Sequence, residues 1–253
     1  MISKSERLLI FRFLFSKKSD GYVSIFAWFS IIGISLGVAA IIIVMSVMNG
    51  FRIDLTNRII GLNSHLNIYS FDNEITNKQA DELILNIDNS FFYQHYKSIE
   101  TNGLIIKSNN SKGVMIKGYD EYDKNHYLFN SINMGALIQN PKSEILIGDS
   151  LANEMNLSVG DKVKIAIPKT DKTILGNIPR FKTLEVIGVF DLGLYEYDSN
   201  LIFLSSELVR KLLLYDEDIY NKIEFFTSSP NEIELFKNEV ELETSNLLLN
   251  FYY

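Results

Sequence analysis

Residues Val23–Met48 read VSIFAWFSIIGISLGVAAIIIVMSVM, with no charged residue, no proline and no cysteine. The stretch is 26 residues long, and fourteen of them are Ile, Leu, Val or Phe. A bilayer core about 30 Å thick needs roughly 20 helical residues, each advancing about 1.5 Å. Together the fourteen favour insertion by about 4–8 kcal/mol, before the Ser and Gly residues subtract. The alternative is a buried core helix, but such helices are usually shorter and keep a polar face. The stretch therefore predicts one membrane-spanning helix, over residues 21–50.

The charge distribution orients that helix. The chain has 253 residues and a net charge of −7, but residues 1–20 carry Lys4, Arg7, Arg12, Lys17 and Lys18 against Glu6 and Asp20. Flanking Lys and Arg stay on the cytoplasmic side. The N-terminus is thus expected inside, with the acidic remainder across the membrane. A cleaved signal peptide would have an apolar region of about 7–15 residues and a small-residue cleavage site. Here the run is longer and continues into Met48-Asn49-Gly50-Phe51, so a retained anchor is expected. The absence of cysteine means no reliance on disulfides, and the acidic balance argues against a nucleic-acid partner.

Residues 1–20 predict a helix lying in the cytoplasmic interface. Ser3-x-x-Glu6 is a capping-box pattern, and Leu8–Phe15 is nearly all apolar. A plain basic anchor is the alternative. Within the span, Ser30, Gly33, Gly37 and Ala40 recur at three- and four-residue spacing and form a small-residue face. Such a face lets another helix approach closely. Beyond the span, Phe51, Leu55, Ile59 and Leu62 continue an apolar stripe. One helix from Tyr22 to Ile60 would be on the order of 57 Å long, a stalk leading into the outer domain.

Residues 51–253 alternate strand and helix patterns and predict an α+β domain. Strands are expected at His65–Ser70, Gly103–Lys107, Val114–Tyr119, Ile145–Ile147, Lys162–Ile167, Leu184–Phe190, Leu201–Leu204 and Lys222–Phe226. A turn is expected over Asn109–Gly113. Helices are expected at Asn77–Ile87, Leu151–Met155, Ser205–Leu214 and Pro230–Val240. The end segments, 51–107 and 216–253, are expected to form one subdomain, with 108–215 inserted as a second.

No catalytic pattern stands out. There is no P-loop motif and no GxGxxG after a strand. His65, His95 and His126 lack metal-ligand spacing, so no metal is expected. Asp123 and His126 read as a solvated surface pair, and Asp120-Glu121-Tyr122-Asp123 as a solvated loop.

One connection is oversized. Pro168–Pro179 reads PKTDKTILGNIP between two strand patterns, where hairpin loops usually have two to five residues. It comprises Pro168, Lys169, Thr170, Asp171, Lys172, Thr173, Ile174, Leu175, Gly176, Asn177, Ile178 and Pro179. Ile174 and Leu175 form an apolar tip, and Lys164, Arg180 and Lys182 surround the base. Long loops with apolar tips tend to bind something; a floppy insertion is the alternative.

Gly33-Ile-Ser-Leu-Gly-Val running into Ser46-Val-Met-Asn-Gly-Phe51, together with Asp161–Phe190, resembles the lipoprotein-releasing ABC transporter permeases of the LolC/LolE type. These are part of the FtsX/MacB-like permease superfamily. The resemblance implies a MacB-like periplasmic domain of two subdomains. It implies a permease that extracts lipoproteins from the inner membrane and hands them to the periplasmic carrier LolA. ATP would be hydrolysed on a separate LolD-type ATPase subunit, with no cofactor on this chain and no enzymatic activity of its own. A second permease subunit, the same or a sister chain, would complete the pore. By position, Pro168–Pro179 would be the carrier-binding hook and Lys164, Arg180 and Lys182 its basic pad. Val44, Val47, Met48 and Phe51 would contact the lipoprotein's acyl chains. The family has three further spans after the periplasmic domain, so the sequence is expected to be truncated relative to it. An FtsX-like scaffold subunit or a MacB-like efflux component is the alternative.

Overall fold

In a computed structural model the described residues are 4–14, 21–70, 74–87, 91–122, 126–167, 180–227 and 247–251. By packing, the chain divides into Met1–Leu55 and Thr56–Tyr253. The first unit begins with helix α1 (Lys4–Leu14), on which Leu8, Leu9 and Ile10 are exposed. Helix α2 then runs unbroken over Gly21–Asn63. Its 43 residues extend about 64 Å. Within Ser24–Asp54 an 18-residue stretch reaches a mean hydropathy of 2.7, and none of it is buried. A core helix would be covered by the rest of the chain, so this helix has the length, composition and bare surface of a membrane span.

The second unit is α+β. After α2 come β1 (Leu66–Ser70), β2 (Ile75–Thr76), α3 (Asn77–Asn86), β3 (Phe92–Lys107) and β4 (Asn110–Tyr119). A 3-10 turn (Tyr127–Ser131) leads to β5 (Ile132–Gly135), β6 (Glu144–Gly148), α4 (Asp149–Met155), β7 (Lys162–Ile167) and β8 (Arg180–Phe190). The remaining elements are α5 (Tyr195–Asn200), β9 (Leu201–Ser205), α6 (Ser206–Leu213), β10 (Ile219–Tyr220), β11 (Lys222–Thr227) and β12 (Leu247–Phe251).

Strands β3, β4, β9, β6, β8 and β7 pair in that order, and β7 pairs back onto β3. The ring closes, so these six strands form a small barrel. Its interior is aliphatic: Ile99, Ile105, Ile116, Ile145, Ile147, Val163, Ile165, Leu184, Val186 and Ile202 are all buried. Leu151 and Met155 of α4 and Leu208 and Leu212 of α6 join this core. Beside the barrel, β12, β1 and β11 extend the sheet through the β11–β3 pairing. β1, β11 and the start of β3 share a second core with α3, made of Leu66, Ile68, Ala80, Leu83, Ile84, Phe92, Ile223 and Phe225.

Period-two alternation locates β7 at its observed bounds, because Val163, Ile165 and Ile167 all face the core. The β3–β4 hairpin differs from expectation. The polar run Asn109–Gly113 is strand from Asn110 onward, and the chain reverses at Ser108-Asn109 with Ser108 at φ 53°. Residues there are exposed, so polar composition marks a solvated hairpin end rather than a loop. β3 also begins eleven residues before Gly103, at Phe92. The helix expected at Pro230–Val240 lies outside the described residues.

Candidate functional site

The strands that carry the long connection are the best-defined part of the candidate site. β7 and β8 are antiparallel, with Ile167 opposite Arg180. The connection Pro168–Pro179 therefore leaves and re-enters the fold at neighbouring strand positions; its own residues lie outside the described ones. Three of the barrel's strands share registers here. Ile106, Lys164 and Thr183 lie in one row, Ile105, Ile165 and Lys182 in the next, and Leu104, Ala166 and Phe181 in the third.

Successive residues of a strand point to opposite faces, and directly paired residues point to the same face. Ile105 and Ile165 face the barrel interior, so Lys182 shares that side, as does Arg180 opposite Ile167. Lys164 lies on the outer face with Thr183. The three basic residues are all exposed, but they do not form one patch: Arg180 and Lys182 lie on one side of the hairpin and Lys164 on the other. Sequence spacing alone groups them, because the face each occupies is set by the strand pleat and by the register across the long connection. The outer face also carries Leu104 and Phe181, which are 43% and 57% exposed. Sequence reading missed both. The available signal was an aromatic residue between two cations in a period-two strand.

On α2, Val44, Val47, Met48 and Phe51 are exposed. Ser30, Gly33, Gly37, Ala40, Val44, Val47 and Phe51 continue one alternation of three- and four-residue steps along an unbroken helix. They therefore lie on one face, small residues in the first half and large ones in the second. Gly33 and Gly37 have no atom within 4 Å of the position a Cβ would take.

A third cluster is buried and charged. Lys117 Nζ lies 3.2 Å from Glu224 Oε1, and Lys222 Nζ lies 2.8 Å from the same oxygen. Tyr119 donates its hydroxyl to Glu224 Oε2 at 2.6 Å. Glu100 Oε2 approaches Lys222 to 3.0 Å and Lys117 to 4.0 Å. Burial alone would raise the Glu224 pKa, but Lys117 and Lys222 reverse this and hold it at about 2. For Lys117 burial dominates and lowers its pKa despite Glu224. For Lys222, burial is outweighed by Glu224 and Glu100, and its pKa rises.

One surface expectation holds and one is corrected. Asp120 and Glu121 are exposed and lie outside regular structure, and Asp120 is also an anchor: its carboxylate accepts hydrogen bonds from Ser206, from Arg210 Nη2 at 3.2 Å and from Tyr220 at 2.5 Å. His126 is buried, its ring centroid 4.7 Å from those of both Tyr96 and Tyr119. Its Nδ1 accepts from the Leu128 N–H at 3.3 Å. The neighbouring tyrosines supply an apolar wall that a one-dimensional charge pattern conceals. Asp123 lies outside the described residues.

Residues 27–241 match the MacB-like periplasmic core domain. The chain belongs to that family. The LolC transmembrane protein of the lipoprotein-releasing system of Neisseria meningitidis serogroup B is 28% identical over 213 residues, covering 82% of this chain and 51% of its own length. The corresponding LolE protein of Haemophilus influenzae is 25% identical, covering 87% of this chain and 54% of its own. The extracellular domain of the ABC-type transporter YknZ from Gram-positive bacteria has a TM-score of 0.48 and 15% identity, covering 73% of this chain and 94% of that one. The resemblance to LolC/LolE-type permeases is thus borne out, and this MacB-like chain spans about half the length of the curated relatives it matches.

Proposed function

We propose that this chain is the membrane-anchored permease subunit of an ABC transporter that extracts lipoproteins from the bacterial inner membrane and passes them to the soluble carrier LolA. The observation that carries the reading is the combination of LolC and LolE relatives over most of the chain with an uncovered helix of spanning length. The positive residues before Gly21 favour a cytoplasmic N-terminus and a periplasmic main domain. ATP hydrolysis belongs to a separate LolD-type ATPase, and a second permease subunit completes the assembly.

In this reading the single face of α2 does two jobs. Its small half, Ser30 to Ala40, lets a neighbouring helix approach closely. Its bulky half, Val44 to Phe51, holds that neighbour further away and offers apolar surface to acyl chains. The Pro168–Pro179 connection is the hook that captures LolA, with Lys164 on one flank and Arg180 and Lys182 on the other. The end segments 51–107 and 216–253 act as one subdomain and 108–215 as a second that presents the hook.

Deleting Lys169–Ile178 from the membrane-embedded protein tests the hook. The expected result is loss of LolA pull-down at an unchanged membrane level. Undiminished LolA binding would remove the hook assignment. Recovery of a cell-wall hydrolase instead of lipoproteins with the intact complex would favour the FtsX-like scaffold reading, and of neither, MacB-like efflux.

A further inference from the structure

Strand β3 belongs to two structures at once. Its first part, Phe92–Ser98, pairs with β11. Its last part, Leu104–Ile106, pairs on the same edge with β7 inside the barrel. Between them, Ile99–Gly103 has a strand partner on the β4 edge alone among the described residues. Ladder hydrogen bonds are what stiffen a sheet, so an interruption on one edge is where it bends most easily.

The interruption is stitched by side chains. Asn221 lies on the segment linking β10 to β11. Its Oδ1 accepts the Glu100 N–H at 2.8 Å, and its Nδ2 donates to the Glu100 carbonyl at 2.7 Å. A single side chain thus satisfies both backbone groups of one residue in the gap, as a neighbouring strand would. The Glu100 carboxylate then ties β3 to Lys222 of β11 and to Lys117 of β4. Glu224, wholly buried, binds both lysines. Tyr96 and Tyr119 add a ring contact at 5.8 Å. Buried ion pairs gain little net stability over apolar residues, because desolvation offsets their attraction. What they do supply is geometry: each charge must meet its partner at one separation, so they select one arrangement.

We propose that Ile99–Gly103 is a hinge between the barrel and the sheet formed by β12, β1 and β11. Asn221 and the Glu100–Lys222–Glu224–Lys117 network latch it at one angle. The hinge is a property of the fold and stands independently of whether the hook binds a carrier. If the permease reading holds, it sets how a movement of the β1 side reaches the barrel.

The absence of cysteine makes spin labelling direct. Labels at Leu85→Cys on α3 and Val159→Cys beside the barrel span the hinge; both positions are exposed. Labels at Asn109→Cys and Val159→Cys lie within the barrel unit as a control. In the full chain, in nanodiscs, the cross-hinge distance distribution is expected to be narrow. In Asn221→Ala and in Glu100→Gln it should broaden at least about twofold, while the control distribution stays unchanged. A cross-hinge distribution of wild-type width in both variants would overturn the proposal. So would equal broadening of the control, which would mean general loosening rather than a hinge.

Discussion

Ile41–Val44 of α2 and Leu201–Leu204 of β9 are runs of four large apolar residues with opposite fates. On α2 all four side chains are 59–63% exposed; on β9 none exceeds 1%. Composition does not separate them. What does is the length over which the apolar character persists. The β9 run stops at Ser205, whose hydroxyl accepts the Leu208 N–H and caps α6. It covers one barrel wall and no more. The α2 run extends over Val23–Met48, and no residue of Ser24–Asp54 is buried by the described residues. The first is apolar for a protein core, the second for a lipid core.

One substitution in each region breaks this comparison, with the largest effects expected here. Ile202→Asp places a carboxylate among Ile147, Ile116 and the rest of the barrel interior. Arg180 and Lys182 on the same side of β8 are exposed, and the described residues around Ile202 in the interior are aliphatic, so the barrel should lose upwards of about 4 kcal/mol and unfold. Protease sensitivity of residues 56–253 would rise, while membrane association persists. Ile42→Asp should do the reverse. It costs about 3 kcal/mol of insertion near the helix centre and leaves the barrel folded. Alkaline extraction from membranes, run beside proteolysis, separates the two. If Ile42→Asp raised the protease sensitivity of residues 56–253 as Ile202→Asp does, α2 would be acting as a core helix and not as a span.

Legibility followed the same division. The span was readable because one physical requirement, about 20 uninterrupted apolar residues, acts along the sequence itself. β7 was readable because one of its faces is core and the other water, which imposes strict alternation. The first part of β3 was not. Its Phe92–Ser98 residues read FYQHYKS, with aromatic and polar types mixed and no aliphatic residue, so no aliphatic period marks it. The buried network was equally hidden. Lys117, Lys222 and Glu224 carry the composition of a solvated face and reveal their burial only once β4, β3 and β11 are laid side by side. At the candidate site Lys164, Arg180 and Lys182 are legible as basic residues around the long connection, but their division between two faces of the hairpin emerges only from register.

His65 sharpens the comparison at the point where the exposed helix gives way to buried sheet. It follows Ser64, which leaves α2 at φ 54°, and it is buried. Burial lowers its pKa to about 4, and its Nδ1 accepts the Thr227 N–H at 3.2 Å. The folded state thus resists the proton that the unfolded chain accepts near pH 6.5. Between those values the unfolded state binds more protons, so stability falls as pH drops from about 6.5 to about 4 and is complete above that window. The loss should approach about 3 kcal/mol. Glu224 adds a second window below it: its stabilisation, present above about 4.5, disappears as pH falls towards about 2. Urea midpoints between pH 7 and pH 4 measure the first window. His65→Gln should flatten it, and a wild-type slope in that variant would assign the acid sensitivity elsewhere.

The smallest effect tests the edge of the second core, away from both long apolar runs. Thr76 caps α3: its hydroxyl accepts the Gln79 N–H at 3.3 Å, and the Gln79 side chain accepts the Thr76 N–H at 2.9 Å. The two bonds satisfy reciprocal backbone donors at the helix start and hold Ala80, Leu83 and Ile84 against β1 and β11. Thr76→Ala removes one donor's partner and should cost about 1 kcal/mol. That cost should fall on α3 and the β1–β11 side, leaving exchange in the barrel strands β6, β8 and β9 slow. Amide exchange resolved by segment reads the difference directly. Equal acceleration in both regions would mean that the two cores unfold as one cooperative unit, so that the barrel and the β1 sheet differ in their packing but share a single stability.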